Sequence, residues 1–245
     1  MSTAIVTGGT RGIGAAVAQR LASAGHDLVL GYRSDEDAAQ AVAERVRALG
    51  VTCTLVRADL TTDAGVADLF ADVAGDQLRV VVNNAGATYR FAPLAGTPAE
   101  EVRRTIDLNL TSAVLVAQQA VRSMSRSRGG QGGVIVNISS GAATLGSPGE
   151  YVHYAAAKAG VDTLTRGLGL EVAGEGIRVV GVAPGLIDTD LHATTGDPGR
   201  VARMAPQIPL GRAGAASEIA DAVAWLASDE AAYVTATTLR VAGGR

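Results

Sequence analysis

The sequence of 245 residues has a formal net charge of −3, and only 3% of its residues are aromatic. The small negative charge gives no electrostatic reason to expect a nucleic acid or an anionic membrane as a partner. The single cysteine, Cys53, excludes an internal disulfide, and no apolar run approaches the roughly 18 residues of a membrane span. We therefore expect a cytoplasmic protein that binds neither nucleic acid nor membrane.

Short apolar runs alternate along the chain with longer segments of helical periodicity. The segment 12–24, for example, follows the strand predicted at 3–7 and places Ile13, Val17 and Leu21 four positions apart. Strands are predicted at 3–7, 27–32, 51–57, 79–83, 133–138, 177–182 and 237–241. Helices are predicted at 12–24, 35–49, 63–74, 98–124, 151–173 and 217–227. The strand runs are apolar throughout, which indicates a parallel sheet buried on both faces, in a single α/β domain over residues 1–245.

The first predicted strand leads directly into the segment TGGTRGIG, residues 7–14, and a helix comes next. Glycines at 8, 12 and 14 allow a tight turn and a close approach of the backbone to a pyrophosphate, while the helix N-terminus offers free N–H groups. The alternative is a glycine-rich turn that binds no ligand. A P-loop is excluded because no Lys-Ser/Thr pair follows the last glycine.

The end of the second predicted strand, GYRS at 31–34, indicates which dinucleotide would bind. An acidic residue there would accept hydrogen bonds from a ribose 2′-hydroxyl, whereas this chain has Arg33 and Ser34. Arg33 and Arg11, which lies in the glycine turn, could together hold a ribose 2′-phosphate. The sequence therefore predicts NADP(H) over NAD(H), the alternative being that Arg33 is a solvated loop residue.

Six motifs occur in the order and approximate spacing of one protein family. They are TGGTRGIG (7–14), NNAG (83–86), Asn109, the serine pair at 139–140, YAAAK (154–158) and PGLIDT (184–189). From residue 3 to the C-terminus the chain resembles the short-chain dehydrogenase/reductase (SDR) family, in its 3-oxoacyl-[acyl carrier protein] reductase-like and sugar dehydrogenase-like branch. The chain departs from the family pattern at Val180, at Ala242 and at Ala236, where the family often has glycine.

The resemblance implies a single-domain Rossmann fold, with a doubly wound, seven-stranded parallel sheet and helices on both faces. It also implies hydride transfer between a nicotinamide and a small-molecule carbonyl or alcohol substrate, and we expect a ketoreductase. A homotetramer or homodimer, formed through the helices predicted at 98–124 and 151–173, is a further expectation from the resemblance. The alternatives are a non-catalytic, NAD(P)-binding redox-sensing regulator and a dehydratase or epimerase on the same scaffold.

Tyr154 and Lys158 are one helical turn apart, so both side chains lie on one face of a helix. A nearby ammonium favours the phenolate form of a phenol, whose pKa is ordinarily about 10. The resemblance makes Tyr154 the general acid in reduction and the base in oxidation, while Lys158 lowers its pKa and holds the nicotinamide ribose. It implies that Ser140, with Ser139 as its rival, binds the substrate oxygen and that Asn109 orders a water near Lys158.

The resemblance also implies cofactor contacts at many positions along the chain. Asp59 matches the residue that binds the adenine amino group, and the segment 184–189 matches the turn against the nicotinamide carboxamide. For Asn83 a purely structural role is left open. The predicted cofactor-binding residues are Gly8, Thr10, Arg11, Gly12, Ile13, Gly14, Arg33, Ser34, Asp59, Leu60, Asn83, Ala85, Gly86, Tyr154, Lys158, Pro184, Gly185, Ile187 and Thr189.

Substrate choice is expected to depend on Tyr151 and on the long irregular segment 186–210. Tyr151, three positions before Tyr154, could line the substrate pocket or simply pack. That segment contains Leu191, His192, Met204 and Pro206. For His153 we expect a structural or pocket-rim role. The histidines and the cysteine show no metal-ligand spacing, so no metal is predicted.

Overall fold

The computed structural model describes residues 2–189 and 199–245. Its strands in chain order are β1 (Thr3–Thr7), β2 (Asp27–Tyr32), β3 (Cys53–Arg57), β4 (Leu78–Asn83), β5 (Gly133–Ile138), β6 (Ile177–Pro184), β7 (Ile187–Asp188), β8 (Gly214–Ala215) and β9 (Thr237–Val241). Seven of them form one parallel sheet in the order β3-β2-β1-β4-β5-β6-β9. The predicted seven-stranded parallel sheet is therefore confirmed.

Helices cover both faces of this sheet. In chain order they are α1 (Gly12–Ser23), α2 (Glu36–Arg47), α3 (Asp63–Phe70), α4 (Ala99–Ile106), α5 (Ser112–Met124), α6 (Ala142–Leu145), α7 (Val152–Val172), α8 (Arg200–Met204) and α9 (Ala216–Ala227). Val6 of β1 belongs to an apolar cluster with α1, α2 and α9. Its neighbour Ile5 belongs to the cluster with α3, α5 and α7 on the opposite face. Because both faces are covered, the central strands carry apolar residues at consecutive positions rather than at alternate ones.

The helix predicted at 98–124 is interrupted. α4 and α5 are joined by a π-helical turn over Asp107–Thr111, which places Asn109 in the interior with 1% of its surface exposed. The prediction missed this interruption because the chain stays helical through it and no glycine or proline marks it. Two short helices, α6 and α8, were not predicted, and neither was the two-stranded parallel pair formed by β7 and β8. Each is too short to carry a periodic signal.

The order in which strands are added to the sheet reverses at β1. The chain first adds β2 and β3 on one side of β1 and then adds β4 on the other side. β1 pairs with β2 on one side and with β4 on the other, so the loops after β1 and β4 leave the same edge of the sheet and diverge. In open parallel sheets this arrangement creates a crevice at the carboxyl ends of the strands, where ligands bind. Of the helices in the described part of the chain, none is both long and apolar enough to span a bilayer.

Candidate active site

A cleft of about 850 Å³ opens at the carboxyl ends of the central strands. Most residues that the sequence predicts for the site line this cleft, although they come from positions far apart in the chain. They are Gly8, Thr10, Arg11, Gly12, Ile13, Gly14, Arg33, Ser34, Ala85, Gly86, Ser140, Tyr154, Lys158, Pro184, Gly185, Ile187 and Thr189.

The glycine turn between β1 and α1 needs glycine for two different reasons. Gly8 and Gly12 have φ angles of 60° and 49°, in the left-handed region that favours glycine. A Cβ atom on Gly14 would lie 2.1 Å from the carbonyl oxygen of Gly8, so a side chain would force the turn away from the helix. Among the described residues, no side chain caps the N-terminus of α1 at Arg11, which leaves its first N–H groups available to an anion.

Two arginines line the cleft, Arg11 within the glycine turn and Arg33 after β2. The Arg11 guanidinium lies 3.7 Å from Asp35, and that of Arg33 lies 3.4 Å from Asp59. Both arginine side chains are more than half exposed, at 65% and 56%, so these ion pairs are weak and can be exchanged for a stronger anion. The Asp35 side chain also accepts a hydrogen bond from the N–H of Ala38 and thereby caps α2.

Four predicted residues do not line the cleft in the described structure. Asn109 is buried behind it. Asp59 accepts two hydrogen bonds from Thr61 and faces Arg33. Leu60 is packed in the apolar cluster under α3. The amide of Asn83 donates to a carbonyl of α5 and to a side chain of β5, so its role is structural.

Tyr154 and Lys158 both lie on α7 and face the cleft. The Lys158 ammonium is 5.7 Å from the centre of the Tyr154 ring and donates a 2.8 Å hydrogen bond to the carbonyl of Ile138. Burial lowers the pKa of Lys158 to about 8, opposed by the charge of Asp162. Burial raises the pKa of Tyr154 to about 12, opposed by a hydrogen bond with Ser140. Burial thus shifts the pKa of the phenol upwards, in the direction opposite to the one expected from a neighbouring ammonium.

The two serines after β5 point in different directions. Ser139 is 3% exposed, and its hydroxyl donates a 3.3 Å hydrogen bond to the backbone carbonyl of Lys158. Ser140 is less buried, its hydroxyl accepts from the N–H of Ala142, and it lies against the Tyr154 phenol. Ser140 is thus placed to contact a ligand, while Ser139 joins β5 to α7.

Asn109 lies directly behind the cleft. Its side-chain nitrogen donates to the carbonyls of Ala87 and Thr105, at 2.8 and 2.9 Å. Its oxygen is buried and has no hydrogen-bond partner among the described residues. A Cβ atom on Gly86 would lie 2.6 Å from this oxygen and 3.3 Å from the Lys158 ammonium. The absence of a side chain at Gly86 therefore leaves both polar groups uncovered at the back of the cleft.

Residues 8–245 match a protein-family model described as Enoyl-(Acyl carrier protein) reductase. The chain belongs to the short-chain dehydrogenase/reductase family. It is 44% identical to the uncharacterized oxidoreductase YgfF of Escherichia coli strain K12, over 100% of both chains. It is 40% identical to the 3-oxoacyl-[acyl-carrier-protein] reductase FabG of the same strain, over 98% of this chain and 96% of the relative.

A solved structure with the same fold carries a cofactor. The short chain dehydrogenase from Burkholderia cenocepacia J2315, in complex with NADP, superimposes with a TM-score of 0.90. The two chains are 32% identical, and the match covers 99% of this SDR chain and 97% of the other.

The SDR motifs do not predict the rest of the cleft wall. Phe91, Glu150, Tyr151 and Arg200 line it, and Tyr151 thus faces the pocket rather than only packing. No sequence signal indicates Arg200, whose partner Glu150 is 50 positions away. Of the predicted substrate-segment residues, Met204 lines the cleft, whereas Leu191 and His192 lie outside the described residues. His153 is buried, with its charge interaction directed to Glu101.

Proposed function

We propose that this SDR protein is an NADP(H)-dependent oxidoreductase that reduces a ketone or aldehyde to an alcohol, with Tyr154, Lys158, Ser140 and Asn109 as its catalytic residues. The observation that carries the proposal is the position of the Tyr154 phenol against Ser140, with the Lys158 ammonium 5.7 Å from its ring centre, in the cleft at the strand ends. Reduction of a carbonyl needs a proton at its oxygen, and a neutral phenol is the form that can donate one.

When bound, NADP(H) supplies the hydride in reduction and accepts it in oxidation. The Ser140 hydroxyl donates a hydrogen bond to the substrate oxygen and holds it beside the phenol. Tyr154 then gives its proton to that oxygen as negative charge develops there. The Lys158 ammonium stabilises the phenolate that remains, since an opposite charge nearby favours the ionised form. Asn109 offers its unpaired oxygen near Lys158, where it can order the water that returns the proton.

The glycine turn and the two arginines support NADP(H) as the cofactor. Gly8, Gly12 and Gly14 leave room for a pyrophosphate against the N-terminus of α1. Arg11 and Arg33 carry exposed positive charge on the same side of the cleft, as a ribose 2′-phosphate requires. The Burkholderia relative binds NADP in the same fold.

A fluorescence titration of the purified protein with NADPH and NADH tests the proposal. We expect tight NADPH binding, weak NADH binding, and a loss of NADPH affinity of about 10-fold in each of Arg11→Ala and Arg33→Ala. Arg20→Ala is the matched control, because Arg20 is on α1 but pairs with Asp221 away from the cleft. Preference for NADH would contradict the cofactor assignment, and binding of neither would contradict the reaction.

Turnover tests the catalytic assignment separately. With NADPH and a panel of ketones and aldehydes, the wild-type protein should oxidise the cofactor and Tyr154→Phe should not, because phenylalanine has no proton to give. Equal rates for the two proteins would contradict the role of Tyr154.

We also propose that the protein is a cytosolic homotetramer or homodimer. Support comes from large apolar side chains exposed on the helices expected to form the interface, namely Val114 on α5 and Val152 and Leu170 on α7. Size-exclusion chromatography with light scattering should give a mass two or four times that of the chain, and a monomer would contradict this assignment.

A further inference from the structure

Arg200 is a charged residue in the interior wall of the cleft, with 6% of its surface exposed. Its guanidinium makes a bidentate pair with the Glu150 carboxylate, at 2.8 and 2.7 Å. Burying an ion pair is weak evidence for stability, because the loss of hydration offsets most of the attraction. An ion pair of this kind at a cleft wall is better explained by the side chains that it holds in position.

The pair holds two aromatic rings in place. The Arg200 guanidinium lies 4.5 Å from the centre of the Phe91 ring, and one of its nitrogens lies 3.4 Å from the Tyr151 hydroxyl. The carbonyl of Glu150 accepts a 2.7 Å hydrogen bond from the N–H of Ala92, next to Phe91. Arg200 and Glu150 therefore join three segments that are distant in sequence.

The rings form a continuous series that ends at the proposed proton donor. The centres of Phe91 and Tyr151 are 5.1 Å apart, and those of Tyr151 and Tyr154 are 5.4 Å apart with an edge-on geometry. All three line the cleft, and we call them the aromatic wall. A carbonyl compound whose oxygen contacts Tyr154 would place its neighbouring substituent beside Tyr151 and Phe91.

The aromatic wall favours one kind of substituent. The charge of Arg200 is cancelled by Glu150, so this pair offers no net charge to a substituent beside the aromatic wall. Aromatic rings attract other aromatic rings in edge-on or offset geometry beyond what area burial alone gives, by a factor of roughly 3 to 10 in affinity. A saturated ring of equal size buries similar area but lacks this attraction.

We propose that Arg200 and Glu150 determine specificity by fixing Phe91 and Tyr151, so that the cleft selects carbonyl compounds with a planar aromatic group next to the carbonyl. This inference rests on the proposed function, since it assumes that the substrate carbonyl contacts Tyr154.

The test compares acetophenone with methyl cyclohexyl ketone, which carry a flat and a saturated six-membered ring next to the carbonyl. Conjugation with the ring lowers the intrinsic reactivity of acetophenone towards hydride in every variant, so the acetophenone preference, the ratio of the two kcat/KM values with NADPH, is compared between proteins. We expect this preference to be roughly 3- to 10-fold higher in the wild-type protein than in Arg200→Gln and in Glu150→Gln, because the rings are no longer held in the variants. Arg212→Gln should keep the preference, since Arg212 makes a similar bidentate pair with Glu218 outside the cleft.

Ligand-observed NMR of the two ketones with the cofactor-free proteins gives a readout without turnover. We expect stronger saturation transfer to acetophenone in the wild type and in Arg212→Gln than in the two wall variants. Thermal melting shows whether Arg200→Gln is folded. If it is not, Glu150→Gln alone is used to test the role of the ion pair.

The outcomes separate the two proposals. An acetophenone preference that both wall substitutions leave unchanged, or no binding of either ketone by NMR, would overturn the role of Arg200. Selective binding of acetophenone without turnover of any carbonyl compound would support the aromatic wall and count against the proposed reaction.

Discussion

The side-chain amide of Asn83 donates a 2.9 Å hydrogen bond to the side-chain oxygen of Asn137, its register partner on the adjacent strand β5. Asn137 in turn donates a 2.9 Å hydrogen bond to the hydroxyl of Thr165 on α7. All three side chains are at least nine-tenths buried. This polar connection through the apolar core ties two central strands to the helix that carries Tyr154 and Lys158.

The first prediction concerns this connection. Asn137→Leu should lower the free energy of unfolding by about 2–4 kcal/mol, because it leaves the amide of Asn83 short of an acceptor in the core. Urea unfolding monitored by circular dichroism measures the change. The double variant Asn83→Leu/Asn137→Leu should recover part of the loss, since replacing both partners leaves fewer unpaired groups. A single variant as stable as the wild type would contradict the structural role.

The second prediction is that Lys158 lowers stability at neutral pH. Its pKa falls from 10.5 to about 8 on burial, so the folded state binds its proton less well than the unfolded state does. This destabilisation is fully present below pH 8 and is lost as the pH rises towards 10.5. Lys158→Met should therefore raise the free energy of unfolding at pH 7 by about 1–2 kcal/mol, after allowing for the lost hydrogen bond to Ile138.

The difference between wild type and Lys158→Met should shrink when the urea unfolding is repeated at pH 10. The same variant should have no reductase activity. If Lys158→Met is less stable than the wild type at pH 7, the buried ammonium is better accommodated than its burial indicates.

The third prediction tests the space at Gly86. Gly86→Ala should reduce kcat/KM by at least about 100-fold, because the new Cβ atom must displace the Asn109 oxygen or the Lys158 ammonium. Steady-state kinetics with NADPH measures the loss, and circular dichroism checks the fold. Gly96→Ala is the control, because no atom of the described residues lies within 4 Å of its added Cβ atom. Similar activities in the two variants would show that the approach to Asn109 has no catalytic importance.

The fourth prediction concerns the backbone at Ala236, where the family often has glycine. Its φ angle of 57° lies in the left-handed region, which a side chain disfavours. Ala236→Gly should raise the free energy of unfolding by about 0.5–1 kcal/mol, net of the extra freedom of glycine in the unfolded chain. Differential scanning calorimetry would detect this as a higher Tm. The control Ala232→Gly, at a φ of −56°, should lower Tm instead.

Most of the fold could be predicted because its signals are local. β1, β2, β5 and β9 have the predicted bounds. The runs of β1, β2 and β5 are bounded by polar or glycine residues on both sides. The π turn at Asp107–Thr111 was not predicted, because it continues the helix without a break and no glycine or proline marks it in the sequence.

For the site, the sequence predicts the residues that belong to local motifs and misses those defined by distant partners. The glycine turn and the pair Tyr154 and Lys158 depend on spacing within one element, and the structure brings them into one cleft. The burial that raises the pKa of Tyr154 depends on the groups that surround the ring, which spacing does not reveal. The contact between Arg200 and Glu150 has no local pattern at all.

The π turn between α4 and α5 also bears on how such a site can arise. A π turn is an α-helix with one added residue, and removing that residue would rotate α4 by about 100° relative to α5. The oxygen of Asn109 would then no longer face Gly86 and Lys158, although both helices could still pack on the sheet. Insertion of a single codon is thus one genetic change by which an ordinary surface-covering helix could turn a polar group towards the back of the cleft.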